Sequence, residues 1–287
     1  TIPPRPHEQL VQLPNVAAHP ENRAYFFEAD GKTPKAVGTL LKNPAYADTL
    51  ERIAKKGAEE FYSGRIAKNI VSAVEDDPNR PGKLRLSDLK QYSAKQREPV
   101  CGAFRQYRVC GMGPPSSGGI AVAALLGTLQ HVASAKTPAA DQTHLFAEAS
   151  RLAFADRNHF IGDPDFVQVP TAGLVDEGYL RQRSSLIKSG SSMRKAPFGQ
   201  PPGSKGLGYI SARSPELPST SHFSIVDEYG NIVSMTTSIE TAFGSRIMVG
   251  GFLLNNQLTD FSFLPEGDNG LVANRVQGGK RPRSSMS

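Results

Sequence analysis

The sequence predicts an α+β protein, and three observations carry that reading. Apolar residues recur at helical spacing through much of the first two thirds of the chain. A stretch rich in Gly, Pro, Ser and Lys interrupts the pattern from Ser189 to Ser219. The segment beyond it is built of short β-branched and aromatic runs bounded by turn residues. At 287 residues and 38% hydrophobic content, the chain can bury one large core or two modest ones.

The elements follow in order. After a Pro-rich opening, Asn43 is placed to cap a helix with Pro44 in its first turn, and Leu50, Ile53 and Ala54 repeat at helical spacing; the pattern reaches Val74 and is divided at Gly57 and Gly64. A turn at Asp76–Gly82 precedes a short helix capped by Ser87 and running to about Tyr92. Pro99–Cys110 reads as two short strands around a turn. Ser116-Ser117-Gly118-Gly119 leads into an apolar helix ending near Ala133, and Asp141 opens another through Arg157 with Leu145, Phe146, Ala149 and Leu152 on its inner face. A further helix covers Asp176 to Lys188. The 189–219 stretch has no sustained periodicity and the composition of a mobile surface loop. Beyond it, His222–Val226 and Ile232–Thr237 are strands joined by the hairpin signal Asp227–Asn231, and Phe252-Leu253-Leu254 offers another strand.

Composition and motifs argue against several function classes. The net charge of +6 is spread along the chain and interleaved with acids, so it predicts a mildly basic surface and no nucleic-acid module. No apolar run reaches bilayer length; the longest candidate, Ile120 to Leu126, stops at Gly127. The opening Thr1-Ile2-Pro3-Pro4 has neither an initiator Met nor a signal-peptide layout and reads as an interior start. Cys101 and Cys110 are too few for a thiolate zinc site; they are either two half-buried thiols, the simpler explanation, or a bridge across the strand pair. Gly111-Met112-Gly113-Pro114-Pro115-Ser116 fails as a dinucleotide fingerprint, because its third Gly is Ser116 and two prolines remove backbone donors. The six histidines show no ligand spacing and Asp163-Pro164-Asp165 is ordinary loop chemistry, so no metal and no cofactor is expected.

One boundary remains, Pro218-Ser219-Thr220-Ser221-His222, where a loop meets a strand; by local chemistry these hydroxyls are turn residues. Read with other segments, Thr220–Asp227 resembles the start of the small subunit in gamma-glutamyltranspeptidases, whose pattern is Thr-Thr-His-aromatic-Ser-Val-Val-Asp. Phe252–Ser262 and Lys280–Ser287 match further motifs in the same order. Pro114–Gly119, Ala155-Asp156-Arg157 and Gly162–Phe166 resemble large-subunit segments, so the likeness spans most of the chain.

The resemblance implies an N-terminal-nucleophile hydrolase fold, a four-layer αββα sandwich made from one precursor cut in two. Residues 1–219 would be the C-terminal part of the large subunit, ending in the 189–219 linker, and residues 220–287 the N-terminal part of the small subunit, a central piece lacking both ends of the family's chain. It implies cleavage between Ser219 and Thr220 and a threonyl acyl-enzyme at Thr220. Ser238 corresponds to the hydroxyl that supports the nucleophile. Glu240, Gln257 and Asp260 map to the groups around the substrate α-amine, and Ser284 and Ser285 to those that bind its α-carboxylate. The implied partners are a glutathione-like gamma-glutamyl amide and water or an amino-acid acceptor.

The chain departs from the family pattern in places. Glu240 stands where transpeptidases usually carry Asn, which adds negative charge near the substrate carboxylate. The stretch from Phe263 to Pro282 is short for a covering lid and holds no Tyr, an arrangement that admits more water. The family's N-terminal Arg and paired oxyanion-hole glycines lie outside these residues. The alternatives are therefore a related amidase, cephalosporin-acylase-like or acting on small amides, and a non-catalytic binding protein of the same fold.

Overall fold

The computed structural model describes residues 1–212 and 220–284. Along the chain come α1 (Pro4–Gln12), α2 (Pro20–Phe26), α3 (Pro44–Lys56), α4 (Ala58–Tyr62), α5 (Arg65–Glu75) and α6 (Leu86–Lys90). Next are β1 (Val100–Phe104), β2 (Tyr107–Gly111), α7 (Gly118–Leu129), α8 (Ala139–Phe160), α9 (Thr171–Leu174) and α10 (Glu177–Ser184). Then follow β3 (Tyr209–Ile210), β4 (Ser221–Val226), β5 (Ile232–Thr237), β6 (Met248–Val249), β7 (Phe252–Leu253), β8 (Glu266–Gly267) and β9 (Gly270–Val272). Among the described residues, no helix is long and apolar enough to cross a membrane. The chain divides into two compact units, residues 1–95 with 220–256 and residues 96–212 with 257–284, so each combines segments from both sides of Thr220.

In the first unit, α3 starts as its sequence dictates: the Asn43 side chain accepts from the Tyr46 N–H at 2.9 Å, with Pro44 in the first turn. Gly57, at φ 72°, ends it in a conformation that suits a residue without Cβ. Ile66 and Ile70 of α5, one turn apart, meet Val249 of β6 in a buried cluster. The Pro-rich opening is not irregular: α1 and α2 both begin with proline in the first turn, where its missing N–H would have had no helical partner. The short helix α6 starts one residue before Ser87, because the Asp88 carboxylate accepts the Arg85 N–H at 2.8 Å and fixes the start there.

The hairpin of β4 and β5 pairs Ser221 with Thr237 and Val226 with Ile232. Asp227 closes its turn by accepting from the Asn231 side chain at 2.7 Å and from the N–H groups of Tyr229 and Asn231; these bonds, the Asn231 side chain foremost, hold its carboxyl below the usual range.

In the second unit, β1 and β2 form a hairpin whose register sets Cys101 opposite Cys110, and the two are joined in a disulfide. The simpler reading of two separate thiols is thereby corrected: the strands place the pair directly face to face. Helix α7 packs on α8 and on β1. Val100, Ile120, Phe160, Ile161 and Leu174 form the core, with Leu207 and Tyr209 packed against it. Gly119 permits the close approach of α7 to the preceding loop, since a Cβ there would lie 2.5 Å from the Met112 carbonyl oxygen.

Residues 189–212 carry little regular structure yet are fastened to this unit by buried acids. Glu148 accepts from Ser192 Oγ at 2.9 Å and from the Met193 N–H at 2.7 Å. Asp156 accepts from the Gly199 N–H at 2.7 Å, the Tyr179 hydroxyl at 2.7 Å and Arg183 at 3.3 Å. Burial raises the Asp156 carboxyl against the pull of Arg183.

Candidate active site

The hairpin builds the first part of the site. Thr220 immediately precedes β4 and Ser238 immediately follows β5, so a register that pairs Ser221 with Thr237 brings these two hydroxyls together at its open end. Thr220 Oγ1 donates to Ser238 Oγ at 3.4 Å. Ser238 Oγ in turn accepts the Glu240 N–H at 2.8 Å, which fixes the start of the loop beyond β5.

That loop is held in an unusual shape. Glu240, Phe243 and Arg246 have φ of 73°, 64° and 68°, left-handed values that cost a side-chain-bearing residue about 1–3 kcal/mol each. Its surroundings over-determine it. The Glu240 carboxylate accepts from Asn256 Nδ2, while Asn256 Oδ1 accepts from both the Thr241 N–H and hydroxyl at 3.1 Å. Asn22 Nδ2 donates to the Arg246 carbonyl at 2.6 Å, and Phe243 packs edge-on against Phe26 beside the cluster of Leu10, Val16 and Phe27.

A cavity of about 410 Å³ opens here, lined by Thr220, Ser238 and Glu240 together with Arg5 and Gln9 of α1. The sequence reading missed Arg5 and Gln9. They lie in the Pro-rich opening, for which no element is predicted, and no local pattern ties them to a threonine so far along the chain. The cavity therefore presents a nucleophile-type hydroxyl, a second hydroxyl, a carboxylate and a guanidinium.

The remaining mapped residues belong to the second unit. Gln257 and Asp260 bracket a 3₁₀ turn, and Gln257 Nε2 donates to Asp260 Oδ2 at 3.3 Å. Ser284 is bound at its backbone: its carbonyl accepts the Ser117 N–H at 3.0 Å and the Ser117 hydroxyl at 2.7 Å. Arg157, 2% exposed, donates Nε to the same Ser117 hydroxyl at 2.9 Å. Asp163 is engaged by the Arg281 N–H at 2.8 Å and lies 3.5 Å from Arg97, whose guanidinium also pairs with Asp165 at 2.8 Å. Ser219 and Ser285 lie outside the described residues.

The structure thus brings together Thr220, Ser238 and Glu240 in one unit and carries Gln257, Asp260 and Ser284 on the other. Among known proteins, the chain is 38% identical to the glutathione hydrolase proenzyme of Escherichia coli (strain K12), an alignment that takes in 96% of this chain and 46% of that protein. It is 32% identical to the Acylase ACY 1 proenzyme of Pseudomonas sp. (strain V22), over 90% of this chain and 43% of that one. The gamma-glutamyltranspeptidase structure from Helicobacter pylori superposes with a TM-score of 0.63 at 29% identity, covering 72% of this chain and 58% of that chain. The chain spans about half the length of the curated relatives it matches. Its fold is the α+β fold of these N-terminal-nucleophile hydrolases. The model of the family described as gamma-glutamyltranspeptidase matches residues 5–287, and the chain belongs to that family.

Proposed function

We propose that this protein is a gamma-glutamyl hydrolase or transferase that acts on glutathione-like amides through Thr220, freed by cleavage after Ser219. The observation that carries the reading is the Thr220 Oγ1 to Ser238 Oγ hydrogen bond at the mouth of a cavity that also holds Glu240 and Arg5.

A threonine hydroxyl is a weak nucleophile at neutral pH without a base beside it. In the uncut chain Thr220 Oγ1 would attack the Ser219 carbonyl, exchanging the peptide bond for an ester. Water then hydrolyses the ester and leaves a carboxylate on Ser219 and a free α-amine on Thr220. That amine takes the hydroxyl proton when Oγ1 attacks the γ-carbonyl of a substrate, and returns it to the departing amine. Water or an amino acid then releases the γ-glutamyl group from the resulting ester. Ser238 orients Oγ1 throughout. Gln257 and Asp260 receive the substrate α-ammonium, and Ser284 and Ser285 its carboxylate, a pairing of opposite charge and of hydroxyl with anion. The relative from Escherichia coli, by its name a glutathione hydrolase proenzyme, supports this choice.

Two measurements test it. N-terminal sequencing and intact mass of the full-length protein should give a fragment beginning at Thr220, and steady-state rates should favour gamma-glutamyl-p-nitroanilide over glutaryl-p-nitroanilide. A cut chain that turns over only the glutaryl compound would replace this reading with an acylase one, which Glu240 and the acylase relative favour. An uncut, inactive chain would leave a binding protein.

A further inference from the structure

Asn274 is 1% exposed, and its side-chain amide is used at both ends. Nδ2 donates to the Asp260 carbonyl oxygen at 2.7 Å, and Oδ1 accepts the Arg283 N–H at 2.8 Å. Its own carbonyl accepts the Ser262 N–H at 3.0 Å. Two segments therefore meet on one residue: the stretch from the turn at Asp260 to Ser262, and the chain entering Ser284. On the far side of Ser284, the Ser117 N–H and hydroxyl both donate to its carbonyl oxygen. These bonds hold backbone, and the side chain that bonds the Ser117 hydroxyl is that of the buried Arg157, which donates Nε to it at 2.9 Å and steadies it from behind.

We propose that Asn274 and Ser117 are positioning residues for the α-amino-acid clamp, Asn274 fixing the spacing between Asp260 and Ser284 and Ser117 fixing the height of Ser284. The inference rests on the reading that these two residues grip the substrate α-ammonium and α-carboxylate. A carboxamide is the side chain of this size that donates on one side and accepts on the other. Asn274→Asp keeps the acceptor for Arg283 but turns the other end into an oxygen facing the Asp260 carbonyl oxygen, on a side chain that is itself buried. Two oxygens facing each other where a donor stood push the ligand-binding turn away, weakening the grip on both charged ends of the substrate. Bond-making at Thr220 lies on other residues, so the effect falls on binding.

The test is steady-state kinetics of the full-length protein with gamma-glutamyl-p-nitroanilide, alongside the fraction of chain cut at Thr220 and the thermal midpoint. Asn274→Asp is expected to raise KM about tenfold or more while kcat stays within about threefold. Cleavage should match that of the wild type. Ser117→Ala, which keeps the backbone donor, is expected to raise KM by about threefold with kcat unchanged and serves as the decisive variant where Asn274→Asp does not fold. An unchanged KM in either folded variant, or kcat and cleavage falling together with KM unmoved, would overturn the inference. A wild-type protein that is cut at Thr220 yet shows no gamma-glutamyl turnover would overturn the underlying reading and this inference with it.

Discussion

Thr220 Oγ1 and Ser238 Oγ lie 3.4 Å apart because the strand register leaves their backbones opposite each other just beyond the last pair of the hairpin. A Ser238→Ala change removes the partner without touching the register, so Thr220 keeps its place and loses its orientation. The expected result is cleavage and turnover slowed by about twofold to tenfold, the worth of one hydrogen bond. Thr220→Ala should abolish both, and Thr220→Ser should retain both at a reduced rate. Processing followed on a denaturing gel checks the first step, and release of p-nitroaniline the second; a Thr220→Ala protein that is still cut at this bond would sink the assignment.

Glu240 couples two features that can be separated. Its φ of 73° suits Asn better than Glu, because a short amide side chain tolerates the left-handed region. Glu240→Asn relieves that backbone cost but gives up the bond from Asn256 to the carboxylate, so its stability should stay within about 1 kcal/mol of the wild type. It also removes a negative charge from the cavity, so under the proposed function the KM for gamma-glutamyl amides should fall by about fivefold where that charge opposes the substrate α-carboxylate. Denaturant midpoints and KM values read the two effects independently, and a KM that rises would mean that the carboxylate serves the substrate ammonium instead.

The same contrast shows what could be read from the chain alone. Asp227–Asn231 is a turn by composition between two strand-like runs, so the hairpin was legible, while the pairing of Thr220 with Ser238 came from the family resemblance. The cap at Asn43 was legible too, because capping is a local bond to an N–H three residues on; Asp176, read as the first residue of its helix, caps it in the same way. Local rules failed where the partner is distant. Nothing near Glu240 announces Asn256, nothing near Arg5 announces Thr220, and nothing near Asn274 announces that its amide joins Asp260 to Arg283. No element was assigned to the Pro-rich opening, where Pro4 and Pro20 each begin a helix. Proline breaks a helix interior and begins a helix equally well, and only packing distinguishes the two.

The Cys101–Cys110 disulfide closes a short loop, with the two residues nine apart in sequence. In the chain-entropy account such a closure stabilises by about 2.5 kcal/mol. Cys110 is exposed, so a reductant reaches the bond in the folded state. Denaturant unfolding with and without a phosphine reductant should differ by that amount, and a Cys101→Ala, Cys110→Ala double variant should match the reduced wild type under both conditions. A wild-type protein indifferent to the reductant would show that the hairpin stands without the bond.

Lys280 gives the stability a definite dependence on pH. Its ammonium is buried, donates to the Ala273 carbonyl at 2.6 Å, and is pushed down from 10.5 to about 8 by burial; repulsion from Arg275 adds to this and the Asp163 carboxylate opposes it. Between about pH 8 and 10.5 the unfolded chain therefore holds a proton that the folded chain has released, so this residue adds stability as pH rises through that window. Below about pH 8 both states are charged and the penalty is constant. In Lys280→Met that proton linkage is absent, while every other titrating group is shared. The stability of the wild type minus that of the variant should thus be flat up to about pH 8 and climb above it, by no more than about 1.4 kcal/mol per pH unit. Urea unfolding at pH 7, 8.5 and 10 measures the difference directly, and a gap that stays constant or narrows with pH would mean that Lys280 keeps its proton in the folded protein.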